Sequence, residues 1–198
     1  MRTKYYLKTN PKAFFRPKDW LTFYNALKEK STPYFQIAIN TGARINEIRH
    51  LKVKDIDFDN RTLTFYVTKK KAKLKETRSV PREIKISSEF MLWLKRWIRK
   101  HNLKPGDTFD IPTTPGVRQL IKERLDKMDI KDSMDFSSHN VRKTHGTWLL
   151  ATGMDGIKVA SRLGHDYNTL LKSYVSPDIF THEDKVLIRQ ILGDLVQF

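Results

Sequence analysis

The first part of the chain spaces its apolar residues as amphipathic helices do. A first helix is predicted to begin at Pro17, because proline is favoured in the first helical turn. Its apolar face consists of Trp20, Leu21, Tyr24 and Leu27. A second helix, opened by Pro33, is expected to end at Gly42, and a third begins beside Arg44. Residues 1–16 are basic and aromatic and contain a proline, so they are predicted to form an arm or a linker.

Between two helical regions, the pattern changes to the two-residue period of β-strands. Residues 56–58 and 62–68 form two predicted strands joined by a turn, and residues 77–80 form a third strand that Pro81 is expected to end. The tip between the second and third strands, residues 69–75, carries five lysines. Such a run is either a solvated loop or a contact to phosphate groups.

Helical spacing returns after these strands. One helix is capped by Ser87 or Ser88 and extends to Lys100, and another begins at Thr114. The last helix, at about residues 181–196, has its apolar residues on one side. The predicted fold is therefore α+β, mainly helical with a small three-stranded antiparallel sheet.

Residues 138–175 carry the side chains with the most evident chemistry. They are predicted to form three short helices, of which the first ends at Gly153 and the second at Gly164. His139 and Arg142 share one face of the first of these helices, because they stand at positions i and i+3.

Two further side chains complete this set. His165 follows the second short helix directly, and Tyr174 comes nine residues after it. Two basic side chains, a histidine and a tyrosine are the parts needed for attack of a tyrosine hydroxyl on a phosphodiester.

Arg44 stands at a helix start, where a positive charge is unfavourable for the helix dipole. One interpretation is a surface ion pair with Glu47, one turn further on. The other is a guanidinium held beside the helix end and aimed at an anion. The spacing alone favours neither.

The amino-acid composition indicates which class of molecule the protein binds. The 198 residues carry a net charge of +16 with a pI near 10.0, which indicates a polyanionic partner, nucleic acid before acidic membrane. No apolar run approaches the roughly 18 residues of a membrane span, and the N-terminus has no signal-peptide core. Cysteine is absent from the sequence, which excludes disulfides and thiolate metal sites. These features predict an intracellular protein of the cytoplasm or nucleoid.

The order of these motifs resembles one family. Residues 41–48 (TGARINEI), 139–144 (HNVRKT) and 163–165 (LGH) resemble motifs of the tyrosine recombinase catalytic domain, in the phage integrase and Xer class. The resemblance runs from about Arg16 to the C-terminus. It implies the catalytic residues Arg44, Lys69, His139, Arg142, His165 and Tyr174. The lysine assignment keeps Lys70, Lys71 and Lys73 open, because the tip is long and rich in lysine.

Two residues near the motifs need separate interpretation. His145 stands where an aromatic or aliphatic residue is commoner in the family, and it is interpreted as a core residue. Tyr167 lies only two residues after His165, which is too close to match the position of the nucleophile.

The resemblance also implies a mechanism. Tyr174 would form a 3′-phosphotyrosyl link, a free 5′-hydroxyl would then attack it, and strands would be exchanged through a Holliday junction. No metal, ATP or other cofactor is implied. The protein would be a monomer in free solution, and four protomers would act together on double-stranded DNA. The terminal helix would then dock on a neighbouring protomer or pack on its own domain.

The expected domain organisation is an arm over residues 1–16 and a catalytic domain over residues 17–198. The N-terminal core-binding domain that such enzymes usually carry is absent from this sequence, which predicts either an excised domain or a short member. Further DNA contacts are predicted from basic side chains of the tip and of two helices. These are Lys70, Lys71, Lys73, Lys75, Arg118, Lys122 and Lys143.

Three other functions fit part of this pattern. A non-catalytic basic DNA-binding or architectural protein would have the same charge, and so would a ribosomal-type RNA-binding protein. A type IB topoisomerase-like enzyme would nick and close DNA with the same tyrosine chemistry. The ordered set of catalytic residues favours a site-specific recombinase or integrase.

Overall fold

The structure is a computed structural model that describes residues 14–70, 77–128, 136–164, 167–168 and 179–196. Within β-strands, the side chains of residues 67–70 and 77–80 lie outside the described part. The helices are α1 (Pro17–Asn25), α2 (Thr32–Thr41), α3 (Ile45–His50), α4 (Ser88–Lys100), α5 (Thr114–Lys127), α6 (Ser138–Ala151), α7 (Gly156–Leu163) and α8 (His182–Leu192). The strands are β1 (Ile56–Asp57), β2 (Thr62–Lys70) and β3 (Thr77–Lys85). Short 3-10 turns span Glu29–Ser31, Val53–Asp55 and Gly193–Val196.

The strands form one antiparallel sheet in the order β1-β2-β3, as the sequence predicts. Leu63 on β2 pairs with Ile84 on β3, and both side chains are buried against the helices. The prediction that Pro81 ends the third strand is wrong, since β3 continues to Lys85. Proline is tolerated there because β3 is an edge strand, where a missing N–H breaks no ladder on the open side.

Helix α6 lies at the centre of the fold. Every residue from Asn140 to Leu149 is buried, and α6 contacts α2, α5, α7 and α8. A helix that is buried on all sides must satisfy its polar side chains internally, because water does not reach them. The predicted caps around it are confirmed: Gly164 ends α7 with φ at 63°, and Asp155 accepts hydrogen bonds from the first turn of α7.

The folded unit begins before Pro17. Phe14 and Phe15, which fall in the predicted arm of residues 1–16, are 2% and 1% exposed. The backbone N–H of Phe15 donates to Thr144 Oγ1 at 3.0 Å, and Trp148 Nε1 donates to the Phe15 carbonyl at 3.1 Å. Aromatic residues bury a large apolar area, so this short segment is held in the core.

The C-terminal helix α8 packs against α1 and α6 of its own chain. Thr181 caps it as predicted, accepting a hydrogen bond from the Asp184 N–H at 3.1 Å, and Asp184 pairs with Arg16 at 2.8 Å. The 3-10 turn that follows contacts α4, where Asp194 accepts a hydrogen bond from the Ser88 N–H at 2.9 Å. In this chain the terminal segment therefore covers its own domain.

Within the described ranges, no helix has the length and apolar character that crossing a membrane requires.

Candidate active site

A tight turn between α2 and α3 holds Arg44 at the start of α3. Gly42 ends α2 in the left-handed conformation, with φ at 63°. A Cβ on Gly42 would lie 2.6 Å from His145 Cδ2 and 2.6 Å from Leu163 Cδ2, so glycine is required by both conformation and space. The turn itself therefore lies directly against α6 and α7.

Arg44 occupies the N-cap of α3 and makes the predicted contact with Glu47. Its backbone N–H donates to Glu47 Oε2 at 2.7 Å, and its guanidinium lies 3.1 Å from Glu47 Oε1. The Arg44 side chain is 43% exposed, whereas that of Glu47 is 5% exposed. Both interpretations of Arg44 are therefore compatible, since the ion pair orients a guanidinium that still faces solvent.

Glu47 has a second cationic partner that sequence reasoning missed. Arg82, directly after Pro81 on β3, lies 2.6 Å from Glu47 Oε2. Burial lowers the pKa of Arg82, and the Glu47 carboxylate partly offsets this effect. Arg82 lies outside the predicted third strand, residues 77–80, so the sequence pattern carried no signal for it.

Arg142 and His139 lie on one face of α6, as predicted, and both line one cavity. Arg142 is 2% exposed, donates to the Gly42 carbonyl oxygen at 2.6 Å, and donates to the carbonyl oxygen of Leu163. His139 is exposed. The guanidinium of Arg142 is therefore fixed by backbone, while the imidazole of His139 stands nearer to solvent.

The cavity has a volume of about 740 Å³ and is lined by residues from three segments of the chain. Its lining consists of Ala43, Arg44, Ile45, Asn46, Glu47, His50, Tyr66, Ser138, His139 and Arg142. Glu47 is the one carboxylate among these described residues. The fold thus brings Arg44 and Arg142, far apart in sequence, to one concave and electropositive place.

Four lining residues with polar side chains were not predicted as site residues: Asn46, His50, Tyr66 and Ser138. His50 Nδ1 lies 2.7 Å from the Asn46 carbonyl oxygen, which orients the ring. Tyr66 is 52% exposed and occupies a solvent-facing position in the alternation of β2. An aromatic residue at such a position is a signal that sequence reasoning could have used.

Several predicted site residues lie outside the described residues. These are His165, Tyr174, and the tip lysines Lys71, Lys73 and Lys75. The backbones of Lys69 and Lys70 belong to β2 and pair with Arg78 and Thr77, while their side chains lie outside the described part.

The predicted DNA contacts on the helices differ in exposure. Arg118 is exposed on α5, and Lys122 on the same helix is half-buried. Lys143, which is also predicted to contact DNA, is 3% exposed, because α6 is enclosed by the helices around it. His145 is 0% exposed, which confirms its interpretation as a core residue. Among the residues that the structure describes, no cluster of three or more His, Asp or Glu side chains could hold a metal ion.

Comparisons with known proteins agree with this architecture. The family model described as "Phage integrase family" matches residues 14–179. Tyrosine recombinase XerA of Saccharolobus solfataricus is 28% identical over 159 residues, which cover 80% of this chain and 48% of that protein. Tyrosine recombinase XerC of Halalkalibacterium halodurans is 25% identical over 188 residues, which cover 87% of this chain and 56% of that protein. The chain spans about half the length of these relatives.

Solved structures of the same fold include the Tn1549 transposon integrase in complex with transposon right end DNA. It superposes with a TM-score of 0.65 at 21% identity, over 94% of this chain and 68% of that chain. A XerA recombinase crystal structure gives a TM-score of 0.59 at 14% identity, over 90% of this chain and 64% of that chain. The predicted α+β fold, helical with a small three-stranded sheet, is confirmed.

Proposed function

The chain belongs to the phage integrase family, and we propose that it is the catalytic part of a site-specific tyrosine recombinase. Its substrate is double-stranded DNA, which it cuts and rejoins through a covalent 3′-phosphotyrosine. The observation that carries this proposal is the cavity in which Arg44, His139 and Arg142 meet.

Arg44 and Arg142 are assigned to the non-bridging oxygens of the scissile phosphate. Negative charge grows on these oxygens in the transition state, and planar guanidinium groups meet it with paired donors while staying protonated. The contacts of Arg142 to two backbone carbonyls and of Arg44 to Glu47 hold both groups before DNA arrives. Loss of one preorganised donor of this kind costs roughly 3–4 kcal/mol of transition-state stabilisation.

Tyr174 is assigned as the nucleophile. A tyrosine hydroxyl with its ordinary pKa of about 10 attacks poorly at neutral pH, so its proton must be accepted or held by a neighbour. His139, exposed at the cavity, is assigned to that role, and His165 to a further donor for the phosphate. Lys69 is assigned to the leaving group.

Cleavage and rejoining each exchange one bond to phosphorus for another. The Tyr174 oxygen attacks phosphorus, the bond from phosphorus to the 5′-oxygen breaks, and that oxygen takes a proton from Lys69. A 5′-hydroxyl from another strand then gives its proton to Lys69 and attacks the phosphotyrosine. The bond from phosphorus to the Tyr174 oxygen breaks, that oxygen regains its proton, and a diester is restored. One diester replaces another, so the exchange needs no external energy source.

The assembly that we propose is a monomer in free solution and four protomers on DNA. The Tn1549 integrase was solved with DNA, which supports a DNA partner for this fold. In the assembly, α8 and the turn after it would leave their own domain and dock on a neighbour.

The nucleophile is tested by covalent capture. The protein is incubated with a pool of nicked duplexes of randomised sequence, and strands that remain linked to protein after denaturation are isolated and sequenced. Wild type should form adducts, and Tyr174→Phe should form none. Tyr167→Phe is the matched control and should keep adduct formation, because Tyr167 is not the proposed nucleophile. Adducts that persist in Tyr174→Phe would contradict the assignment, and DNA binding without adducts in wild type would favour a non-catalytic protein.

The leaving-group lysine is tested with a 5′-phosphorothiolate version of the captured site. A sulfur leaving group needs no proton, so this substrate should restore cleavage to Lys69→Ala. Lys71→Ala and Lys73→Ala are the controls and should cleave the ordinary diester at nearly the wild-type rate. Rescue of another lysine variant instead would transfer the role to that residue.

A further inference from the structure

We propose that His145, which is buried, and Arg162, which is partly buried, form a pair that positions Arg142 for catalysis without contacting DNA. The proposal rests on the function proposed above, because it assigns Arg142 to the scissile phosphate. Neither residue of the pair lines the cavity described above.

Arg162 joins three elements through its guanidinium. Its Nε donates to His145 Nε2 on α6 at 3.0 Å. Its two terminal nitrogens donate to the carbonyl oxygen of Lys85, the last residue of β3, at 2.6 Å, and to that of Asn40 on α2 at 2.8 Å. These acceptors are neutral, so Arg162 acts here as a structural cation and makes no ion pair through these bonds.

His145 can make its contacts in only one protonation state. Its Nδ1 lies 2.6 Å from the Ile39 carbonyl oxygen, which can only accept, so Nδ1 carries the hydrogen. Its Nε2 faces the Nε–H of Arg162, which can only donate, so Nε2 must be unprotonated. Burial, with the charge of Arg162 as a second cause, lowers the pKa of His145 well below its usual value, in agreement with a neutral ring.

The pair fixes both carbonyls that hold Arg142. Leu163, whose carbonyl accepts from Arg142, directly follows Arg162 in the chain. Gly42, whose carbonyl also accepts from Arg142 at 2.6 Å, lies two residues after Asn40. His145 packs so closely on Gly42 that a Cβ there would lie 2.6 Å from its Cδ2. A shift of either residue of the pair would therefore move the backbone on which the Arg142 guanidinium rests.

Arg82 connects the His145–Arg162 pair to Arg44 by way of Glu47. It donates to the Arg162 carbonyl oxygen and pairs with Glu47 at 2.6 Å, and Glu47 in turn orients Arg44. An apolar residue at position 145 would fill the space but would leave the Nε–H of Arg162 without its acceptor. The chemistry of the histidine therefore matters here in addition to its volume.

The test compares His145→Phe, His145→Gln and Arg162→Gln with wild type on a captured DNA site. His145→Phe removes both hydrogen bonds, whereas His145→Gln keeps an amide oxygen that can accept from Arg162. We expect His145→Phe and Arg162→Gln to bind DNA within about threefold of wild type but to cleave about 10- to 100-fold more slowly, because a misplacement of about 1 Å can cost 100-fold in rate. His145→Gln should recover most of the rate.

A second substrate separates positioning from general destabilisation. A methylphosphonate at the scissile position removes the oxygen charge that Arg142 meets, so the rate difference between wild type and His145→Phe should shrink on it. An equal loss on both substrates would overturn the proposal, and so would wild-type rates in both His145→Phe and Arg162→Gln. If His145→Phe does not fold, Arg162→Gln carries the same comparison.

A measurement on the free protein keeps this proposal separate from the proposed function. Nitrogen NMR of the imidazole should show a neutral His145 with its hydrogen on Nδ1 down to pH values well below 6.5, and Arg162→Gln should raise its pKa. Titration of His145 at about pH 6.5 in wild type would overturn the pair. Absence of adducts in wild type, together with the expected NMR result, would instead count against the proposed function alone.

Discussion

At the scale of single residues, the site contains cations that differ in exposure and in what holds them. Arg44 is 43% exposed and tied to Glu47, whereas Arg142 is 2% exposed and tied to backbone carbonyls. A mobile cation on the surface attracts an anion only weakly, because solvent screens the charges and ordering the side chain costs entropy. Anchored guanidiniums have already lost that freedom during folding, so they suit recognition of a transition state.

Gly42 allows a prediction about close packing. Gly42→Ala should destabilise the fold by more than the roughly 1–2 kcal/mol that a left-handed backbone costs an alanine, because its Cβ would also meet His145 and Leu163 at 2.6 Å. Gly153→Ala is the matched control, with φ at 95° and no neighbouring atom within 4 Å of its Cβ. Urea unfolding measures both variants. Equal losses would show that conformation alone requires glycine at position 42.

The buried His145 should make the free energy of unfolding depend on pH. Its pKa in the folded protein is well below the ordinary value of about 6.5, so below pH 6.5 the unfolded chain binds the proton more readily. The stability that depends on neutral His145 is complete above that pH and is lost as pH falls. From pH 7.5 to 5.5, wild type should lose more stability than His145→Phe in urea unfolding, by an amount on the order of 1 kcal/mol. The same pH dependence in both proteins would contradict a buried neutral ring.

At the scale of secondary-structure elements, helix ends were predicted well because their signals are local. Pro17, Gly42 and Thr181 each act on their own turn of backbone, and the structure places helix ends at all three. The prediction that Pro81 ends the third strand was wrong, because a strand tolerates proline when it lies at the sheet edge and excludes it when it lies in the centre. Strand order is a property of the whole sheet and is not visible in a local window.

The C-terminal segment gives a prediction at this scale. Asp194 accepts from the first N–H of α4 at 2.9 Å and pairs with Arg61 at 2.6 Å, so it fastens the chain end to two other elements. Asp194→Ala should cost about 1–2 kcal/mol, mainly through the lost helix-end acceptor, since a part-exposed ion pair adds little. Glu183→Ala, an exposed carboxylate on α8, is the control and should cost less than about 0.5 kcal/mol. Thermal unfolding of both variants measures the difference, and equal losses would exclude this fastening role.

At the scale of the whole molecule, the net charge of +16 is the dominant feature for partner choice. Charge of this size attracts any polyanion and releases its counterions, so affinity alone does not identify a recombinase. The placement of the charge is more specific, because the cavity gathers two arginines and two histidines around one carboxylate within the described residues.

Salt dependence tests which charges contact DNA. Each phosphate contact adds about 0.9 to the negative slope of log affinity against log salt concentration. Arg118→Gln should therefore reduce the slope by about one, because Arg118 is exposed on α5. Lys143→Met is the matched control and should leave the slope unchanged, because Lys143 is 3% exposed. A reduced slope for Lys143→Met would show that DNA binding exposes this buried lysine.

The amino-acid sequence alone was sufficient to predict the fold class, the ends of most helices and the identity of the chemical groups. These depend on local periodicity, on caps and on motif order, all of which are contained in short windows of the chain. Arg44 and Arg142 could be named in this way, since each stands in a motif.

The three-dimensional fold determines which of these groups meet and what surrounds them. The contacts of Arg82 and Arg162 behind the cavity were not predicted, and neither was the burial of Lys143. Both depend on contacts between residues far apart in the chain. His145 shows the reason most clearly: its identity as a core residue was predictable, but its role needed a carbonyl from α2 and a guanidinium from α7. A hydrogen-bond partner that arrives from a distant segment leaves no trace in local sequence.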